Sequence, residues 1–348
     1  MENPENDVRD CALVFEGGGY RASYTAGIAR VLLEQGIDFG YVCGISAGAS
    51  HTVDYVSRDL WRTRVAFLGR DGAELPGGVR SVLRGKGFFN ADYLYEGSLR
   101  DGFMPFDWDA FVSNPARIRI QAFERDTGRT VTWTKDDMPT VMDMMDKVRA
   151  SSTLPGAMKP LPVNGVVYYD GGLGTGAGIP IHLAEADGYE KFVFVATRPR
   201  GYRKHEPSKR DVALFQGVSH DHPYMRNALL TRWKRYNAAL DHVDELEREG
   251  RCLAIYPDEM PVKNSTVNQD KLLAAYNMGH AQGERELPRL REFVFGSAEG
   301  GPHRTRDEIA QRPRSSIVVD AIDDYRAGRR WPLKTVDHFR SDRDIPKG

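Results

Sequence analysis

The feature that most constrains the fold of this chain is a serine flanked by glycines directly after an apolar run, in VCGISAGAS at residues 42–50. Ser46 stands between Gly44 and Gly48, and the pattern Gly-x-Ser-x-Gly is typical of a serine on a sharp turn between a strand and a helix. Such a turn exposes the hydroxyl, and the backbone N–H of Ala47 can point into the site as an oxyanion donor. Ser46 is therefore a candidate nucleophile, although glycine and serine also cluster in ordinary turns.

Alternating strands and helices around this turn predict the fold class. Ala12–Phe15 is a predicted strand, Tyr24–Gln35 carries apolar residues at helical spacing, and a second strand in FGYVCG leads into a helix over Ala47–Ser57. Further along, the sequence predicts a hairpin around Asp126 and a long amphipathic helix over residues 224–249. We therefore expect an α/β protein with a parallel sheet and right-handed crossovers.

A run of three glycines, Gly17-Gly18-Gly19, follows the first predicted strand. Its N–H groups can surround an anion, and in a parallel sheet this loop emerges at the same edge as the Ser46 turn. We expect the loop and the turn together to supply two or three oxyanion donors. Gly17, Gly19 and Ala22 also fit the dinucleotide pattern G-x-G-x-x-G/A. That interpretation requires an acidic residue at the end of the second strand, where this chain has Ser46.

The sequence leaves two candidates for the group that takes the serine proton, a carboxylate and a histidine. Asp170 ends the predicted strand GVVYYD and precedes Gly171 and Gly172, again at the carboxyl edge of the sheet. Burial there would make it a base, although aspartate before glycine is also a common turn former. The histidines after the serine have no local catalytic pattern. Those considered as bases are His51, His182, His205, His220 and His222.

Three motifs in this order, EGGGYRA, GISAG and DGG, resemble those of the patatin-like phospholipases, most closely their bacterial branch of serine hydrolases. The segments ASSTLPGAMKPLP and RWKRYNAALDHVDELEREGR, followed by LAIYP, resemble further parts of the family. The resemblance covers roughly residues 10–285. It implies a three-layer α/β/α sandwich with a mostly parallel central sheet.

The resemblance also implies a role for each motif residue. Ser46 would be the nucleophile and Asp170 the base of a Ser–Asp dyad without histidine. The implied oxyanion hole consists of Gly17, Gly18, Gly19 and Ala47. The residues implied to support the site are Tyr20, Arg21, Gly44, Gly48, Gly171 and Gly172. Two positions depart from the family pattern, because Ala22 replaces a glycine and Glu16 stands where the family often has aspartate.

The implied function is a lipid acyl hydrolase that forms an acyl-enzyme, with a phospholipid, lysophospholipid or acylglycerol as substrate. The family is calcium-independent, so neither a cofactor nor a metal is expected. Two alternatives remain open. One is an esterase of the α/β-hydrolase type with a Ser-Asp-His triad, and the other is a non-catalytic scaffold that binds lipid or protein.

The composition limits the binding partners and the cellular compartment that we expect for this protein. Lys plus Arg (48) nearly equals Asp plus Glu (49) in the 348 residues, so no basic field favours nucleic acid. The three scattered cysteines indicate free thiols in a reducing compartment. The N-terminus MENPENDVRD has no signal-peptide pattern, and no apolar run is long enough to cross a membrane. We expect a cytoplasmic protein that contacts lipid, if at all, at the membrane surface; its oligomeric state stays open.

The sequence predicts three segments. Residues 1–9 form a polar tail, and residues 10–285 form the catalytic domain, which includes a helix–strand–helix extension over 201–285. Residues 286–348 form a charged C-terminal segment of loops with a helix near Ile317–Tyr325.

Overall fold

The computed structural model describes residues 6–69, 88–97, 99 and 104–296, so the predicted helix near Ile317–Tyr325 lies outside the described residues. The strands in this part of the chain are β1 (Asn6–Val8), β2 (Ala12–Phe15), β3 (Ile37–Phe39), β4 (Tyr41–Ile45), β5 (Arg117–Glu124), β6 (Thr130–Trp133), β7 (Pro162–Val163), β8 (Val166–Asp170), β9 (Phe192–Val195) and β10 (Cys252–Ile255). The α-helices are α1 (Ala22–Glu34), α2 (Ala47–Val56), α3 (Leu60–Leu68), α4 (Trp108–Ser113), α5 (Val141–Ser152), α6 (Ile181–Ala186), α7 (Lys209–Val218), α8 (Pro223–Arg248) and α9 (Gln269–Phe295).

The central sheet is mixed and mostly parallel, as predicted. Strands β10, β9, β2, β4 and β5 are neighbours in that order and all run parallel. The predicted hairpin is present, because β6 pairs antiparallel with β5. Strand β8 is also antiparallel to β5, and β7 is antiparallel to β8.

Helices cover both faces of this sheet and complete a three-layer α/β/α sandwich. Alternate residues of a strand point to opposite faces. Accordingly, Leu13 and Phe15 of β2 pack into the core cluster that contains α1, α2 and α9. Ala12 and Val14 pack into a second cluster on the other face, with residues of α6 and α8 such as Leu240. The predicted fold class is confirmed.

The first nine residues include a strand, which corrects the prediction of a polar tail over residues 1–9. Asn6–Val8 forms β1 and pairs parallel with β3 in a separate two-stranded sheet. The polar composition of MENPENDVRD hid this strand. Val8 alone is a large apolar residue in it, and Val8 is buried against the core.

The three cysteines are buried free thiols, as predicted from their spacing. None of the helices in the described ranges is both long and apolar enough to cross a membrane.

Helix α9 is an integral part of the core. It runs from Gln269 to Phe295 and so crosses the predicted segment boundary at residues 285/286. Two glycines let it approach α1 closely. A β-carbon at Gly279 would lie 1.9 Å from the carbonyl oxygen of Tyr24, and one at Gly27 would lie 2.4 Å from the carbonyl oxygen of Tyr276. Residues 269–295 therefore pack as part of the same body as α1.

This packing predicts a strong effect of one added methyl group. Gly279→Ala should lower the free energy of unfolding by about 1–3 kcal/mol, because its β-carbon has no space beside Tyr24. Gly217→Ala is the matched control, since Gly217 is also helical and no described atom lies within 4 Å of its added β-carbon. That variant should be neutral or more stable by about 0.5–1 kcal/mol. Urea unfolding of both variants measures the difference, and equal midpoints would contradict the close packing of α1 and α9.

Candidate active site

Ser46 occupies a strained turn between β4 and α2. Its backbone has φ 60° and ψ −126°, a conformation that costs a non-glycine residue about 1–3 kcal/mol. The flanking glycines are required by close backbone contacts. A β-carbon at Gly44 would lie 2.0 Å from the carbonyl oxygen of Gly48, and one at Gly48 would lie 2.3 Å from that of Phe15. The predicted strand–turn–helix is therefore present, with the serine at its apex.

The sequence did not predict the arrangement of strands that places Asp170 beside Ser46. We expected β8 to end at the carboxyl edge of a parallel sheet, but β8 is antiparallel to β5. Residues 117–121 of β5 pair with β4, and residues 122–124 pair with β8, while β6 occupies the other edge at 120–123. Strands β4 and β8 therefore lie end to end along one edge of β5. Their carboxyl ends meet, which places Ser46 against Asp170.

The Asp170 carboxylate accepts a hydrogen bond and lies beside Ser46. The N–H of Gly172 donates to Oδ1 at 2.7 Å, and the Ser46 side chain is close enough to lower the pKa of the carboxyl. Asp170 is 4% exposed and Ser46 is 8% exposed, so the pair is nearly shielded from solvent. Gly171 is required here, because a β-carbon would lie 2.2 Å from the carbonyl oxygen of Gln121. The DGG motif thus orients the carboxylate and lets it approach β5.

Burial raises the pKa of the Asp170 carboxyl above its usual range. The positive charge of Arg232 opposes this shift most strongly, followed by the hydrogen bonds from Ser46 and Gly172 and the charge of Lys204. Lys204 itself is perturbed, because burial and then the charge of Arg232 lower its pKa to about 7. The result is a carboxylate that is more basic than a solvated aspartate, which suits acceptance of a hydroxyl proton.

The glycine loop comes close to the nucleophile, but its three N–H groups are not equivalent. A β-carbon at Gly17 would lie 2.8 Å from the carbonyl oxygen of Ile45, so only glycine allows this approach. The Gly17 N–H donates to the carbonyl oxygen of Gly178 at 2.9 Å. Gly17 was predicted as an oxyanion donor, and this bond makes its N–H unavailable. The correction leaves Gly17 as a residue that permits close approach.

Three predicted oxyanion donors remain available. Gly19 and Ala47 begin helical turns, where the first N–H groups have no acceptor within the helix. Within the described part of the chain, neither these N–H groups nor that of Gly18 donates to a backbone or side-chain acceptor. The Ser46 N–H is occupied, since it donates to Oγ of Ser151 at 2.9 Å. The N–H groups of Gly18, Gly19 and Ala47 are therefore available to donate, and their role as oxyanion donors stays a prediction.

Glu16, which departs from the family pattern, holds the glycine loop in position through hydrogen bonds. Its carboxylate is 2% exposed and accepts from the Thr197 N–H at 2.5 Å and from the Tyr236 hydroxyl at 2.7 Å. Arg21 is also buried, and burial followed by the nearby charge of Arg198 lowers its pKa to about 10. The glycine loop is thereby held between β9 and α8.

Helix α8 supplies groups that the sequence analysis missed. Arg232 donates from Nε to the carbonyl oxygen of Gly172 at 2.8 Å and from Nη2 to that of Ala177 at 3.2 Å. Arg235 donates from Nη2 to the carbonyl oxygen of Leu173 at 2.9 Å. The apolar periodicity that predicted this helix says nothing about its polar face. The only sequence signal is a pair of arginines spaced by three residues.

Two of the histidines considered as bases, His51 and His182, are buried and hydrogen-bond to other side chains. His51 Nε2 is 2.8 Å from the Thr25 hydroxyl, and burial lowers its pKa to about 3. His182 Nε2 is 2.7 Å from Oε1 of Gln121, and burial lowers its pKa to about 4. Across residues with a described structure, no histidine hydrogen-bonds Ser46 or Asp170. His205, His220 and His222 are on the loops around α7, where His220 pairs with Asp221 and His222 with Asp126.

A mostly apolar cavity opens beside Ser46. It contains about 780 Å³ of empty space, part of it continuous with solvent. Tyr20 forms part of its wall and packs on Phe89 with ring centroids 5.6 Å apart. Among the described residues, no group of three or more histidine, cysteine, aspartate or glutamate side chains is arranged to bind a metal ion.

Parts of the chain are similar to known families and proteins. Residues 13–184 match the family model of the patatin-like phospholipases, and residues 222–295 match that of a domain of unknown function, DUF6363. The uncharacterized protein YjjU of Escherichia coli (strain K12) is 28% identical over 200 residues, which are 54% of this chain and 52% of YjjU. This chain thus spans about half the length of YjjU. The crystal structure of VipD from Legionella pneumophila is 12% identical with a TM-score of 0.43, over 97% of this chain and 79% of VipD.

The fold and the site define an α/β protein with a strained serine beside a buried aspartate. Within that class, residues 13–184 match the patatin-like phospholipase family. The family model ends at residue 184, before the predicted limit of about 285, and a different model covers most of the predicted 201–285 extension.

The electrostatics of the pair predict a pH dependence that needs no lipid substrate. A fluorophosphonate labels an activated serine, and labelling of Ser46 requires Asp170 in its carboxylate form. The rate should therefore fall as the pH drops through the raised pKa of Asp170. Arg232→Gln should move this acid limb to higher pH, because the Arg232 charge lowers that pKa.

Arg235→Gln is the matched control for that variant. Arg235 also lies on α8 and also bonds a carbonyl of the segment after Asp170. It should leave the position of the acid limb unchanged. Equal shifts for the two variants, or no shift for Arg232→Gln, would contradict the assigned influence of Arg232 on Asp170.

Proposed function

We propose that this protein is a lipid acyl hydrolase that works through a Ser46–Asp170 dyad and an acyl-enzyme. The observation that carries the proposal is the placement of the strained Ser46 beside the buried Asp170 carboxylate. The available N–H groups of the glycine loop and the adjacent apolar cavity add an anion site and an acyl site. The family match over residues 13–184 agrees with this chemistry.

In the first half of the reaction, Ser46 Oγ attacks the carbonyl carbon of an ester. Asp170 accepts the hydroxyl proton as the bond forms, and the carbonyl oxygen becomes an oxyanion. The N–H groups of Gly18, Gly19 and Ala47 stabilise this negative charge, where one preorganised donor is worth roughly 3 kcal/mol. Collapse of the tetrahedral intermediate breaks the bond to the alcohol, and Asp170 returns its proton to the leaving oxygen.

In the second half, water replaces the alcohol. Asp170 accepts a proton from the water while the hydroxide oxygen attacks the acyl carbon, and the oxyanion forms in the same site. Collapse then releases the carboxylic acid and returns the proton to Ser46 Oγ. The same carboxylate serves as base and acid in both halves, so the cycle requires neither a metal nor a histidine.

The dyad is favoured over the triad because the Ser46 side chain acts directly on the pKa of Asp170. In a Ser-His-Asp triad the histidine lies between the two. Here His51 and His182 have other partners and pKa values well below their usual range. A binding scaffold is the less favoured alternative, because a scaffold has no use for a strained serine beside a buried carboxylate.

Contact with a lipid surface is part of the proposal. Leu214 on α7 is 62% exposed and Tyr224 in the first turn of α8 is 54% exposed. Helix α7 also lies near the cavity, since a β-carbon at Gly156 would meet Val218 at 2.9 Å and the neighbouring Leu154 lines the cavity. Exposed apolar side chains such as Leu214 and Tyr224 suit contact with a lipid bilayer. Action in the cytoplasm stays a prediction of the sequence.

The dyad makes a paired mutational prediction. Ser46→Ala and Asp170→Asn should each lower hydrolysis of long-chain esters by two or more orders of magnitude, because one lacks the nucleophile and the other the proton acceptor. Replacing each of the nine histidines with Gln in turn should leave the activity of the folded protein within severalfold of wild type. Steady-state kinetics with circular dichroism as a folding check measures this. A histidine as indispensable as Asp170 would establish the triad instead.

A further inference from the structure

One wall of the apolar cavity is a single face of α2. Ser46, Ser50 and Asp54 are spaced by four residues, so they lie above one another on the helix, and all three line the cavity together with Ala47 and Val53. The eight residues from Ser46 to Asp54 span about 12 Å at 1.5 Å per residue. An acyl group attached to Ser46 that extends along this wall therefore approaches Asp54.

A buried ion pair is located at that distance from the nucleophile. Asp54 is 1% exposed and Arg62 is 5% exposed. Arg62 Nε donates to Oδ1 of Asp54 at 2.9 Å, and its Nη1 donates to the carbonyl oxygens of Met104 at 2.5 Å and Pro105 at 3.2 Å. Both side chains line the cavity. An otherwise apolar acyl site thus contains a carboxylate that is fixed in position.

One oxygen of that carboxylate has no partner among the described residues. Oδ2 of Asp54 is buried and accepts no hydrogen bond from them, and the hydroxyl of Tyr20, which also lines the cavity, has no partner there either. Buried polar atoms are nearly always hydrogen-bonded, so an unpaired acceptor in a cavity indicates a missing donor. Burial raises the pKa of Asp54 to about 6, an effect that the Arg62 charge opposes. Near neutral pH the carboxylate accepts but does not donate.

The chemistry of the missing donor follows from the charge already present. Arg62 neutralises Asp54, so a second cation would bring an unpaired positive charge into an apolar site at high cost. A neutral hydroxyl supplies a donor without a charge. A plain alkyl chain would leave Oδ2 unpaired, so the hydroxyl bond is the difference between the two chains.

We infer that the acyl site selects fatty-acyl chains that carry a hydroxyl far from the ester carbonyl, with Asp54 as the acceptor of that hydroxyl. The inference rests on the proposed function for the placement of the carbonyl at Ser46. It names Asp54 as a specificity-determining residue and Arg62 as the residue that positions it. The interaction is a hydrogen bond, and no covalent step is added to the reaction.

Binding of free acids tests the inference without catalysis. Calorimetry with octanoic, decanoic and dodecanoic acids and their ω-hydroxy derivatives brackets the distance to Asp54. We expect the ω-hydroxy acid of matching length to bind at least about tenfold more tightly than the plain acid, as for a hydrogen bond to a charged group. Equal affinities throughout the series would overturn the inference.

A double variant tests the residues. Asp54→Ala alone would leave Arg62 buried without its partner, so the pair is replaced together as Asp54→Leu/Arg62→Met. The preference for the hydroxy acid, a ratio measured within each folded protein, should disappear in this variant. The matched control is Asp187→Leu/Arg119→Met, which removes an ion pair of 2.9 Å near Tyr41, in the core on the other face of the sheet. The control should keep the preference, and its retention in the Asp54/Arg62 variant would overturn the inference.

Hydrolysis of chromogenic esters of the same acids separates this inference from the proposed function. If wild type hydrolyses the esters through Ser46 but shows equal kcat/KM for hydroxy and plain chains, the inference is wrong and the proposed function stands. If no ester is hydrolysed while the binding preference is present and depends on Asp54, the hydroxyl site stands and the proposed function is wrong.

Discussion

The site depends on one arrangement of strands. Strands β4 and β8 share an edge of β5 end to end, because β5 continues three residues beyond the end of β4. This brings a serine and an aspartate that are far apart in sequence to the same point in the middle of the sheet. The close contact of Gly171 with Ile45 and Gln121 fixes the junction. Every other feature of the site positions or tunes that pair.

The region that matches the domain of unknown function contributes directly to the site. Helix α8 donates Arg232 and Arg235 to the segment after Asp170, and its Tyr236 bonds Glu16 beneath the glycine loop. Helix α9 packs against α1 through Gly279. Residues 222–295 thus hold both loops of the site and moderate the basicity of Asp170. We regard them as a structural part of the unit that carries the site, since its two loops bond to α8.

The sequence predicted what local patterns encode. Apolar runs located the strands, helical spacing located α1, α2 and α8, and the glycines of the three motifs predicted the turns whose contacts exclude a β-carbon. The sequence-based predictions failed where the structure depends on contacts between residues that are distant in sequence. The direction of β8, the strand Asn6–Val8 and the bond that occupies the Gly17 N–H all follow from tertiary pairing. On the polar face of α8, the spacing of the residues does not distinguish an arginine of the site from one that is solvated.

The most direct test of the account is a crystal structure of the protein after reaction with a fluorophosphonate. The account predicts a phosphonate on Ser46 Oγ, with its oxygen accepting from the N–H groups of Gly18, Gly19 and Ala47. Asp170 should be the acid–base side chain within hydrogen-bond distance of Oγ. A histidine between Ser46 and Asp170, or a phosphonate on another residue, would contradict the Ser46–Asp170 dyad.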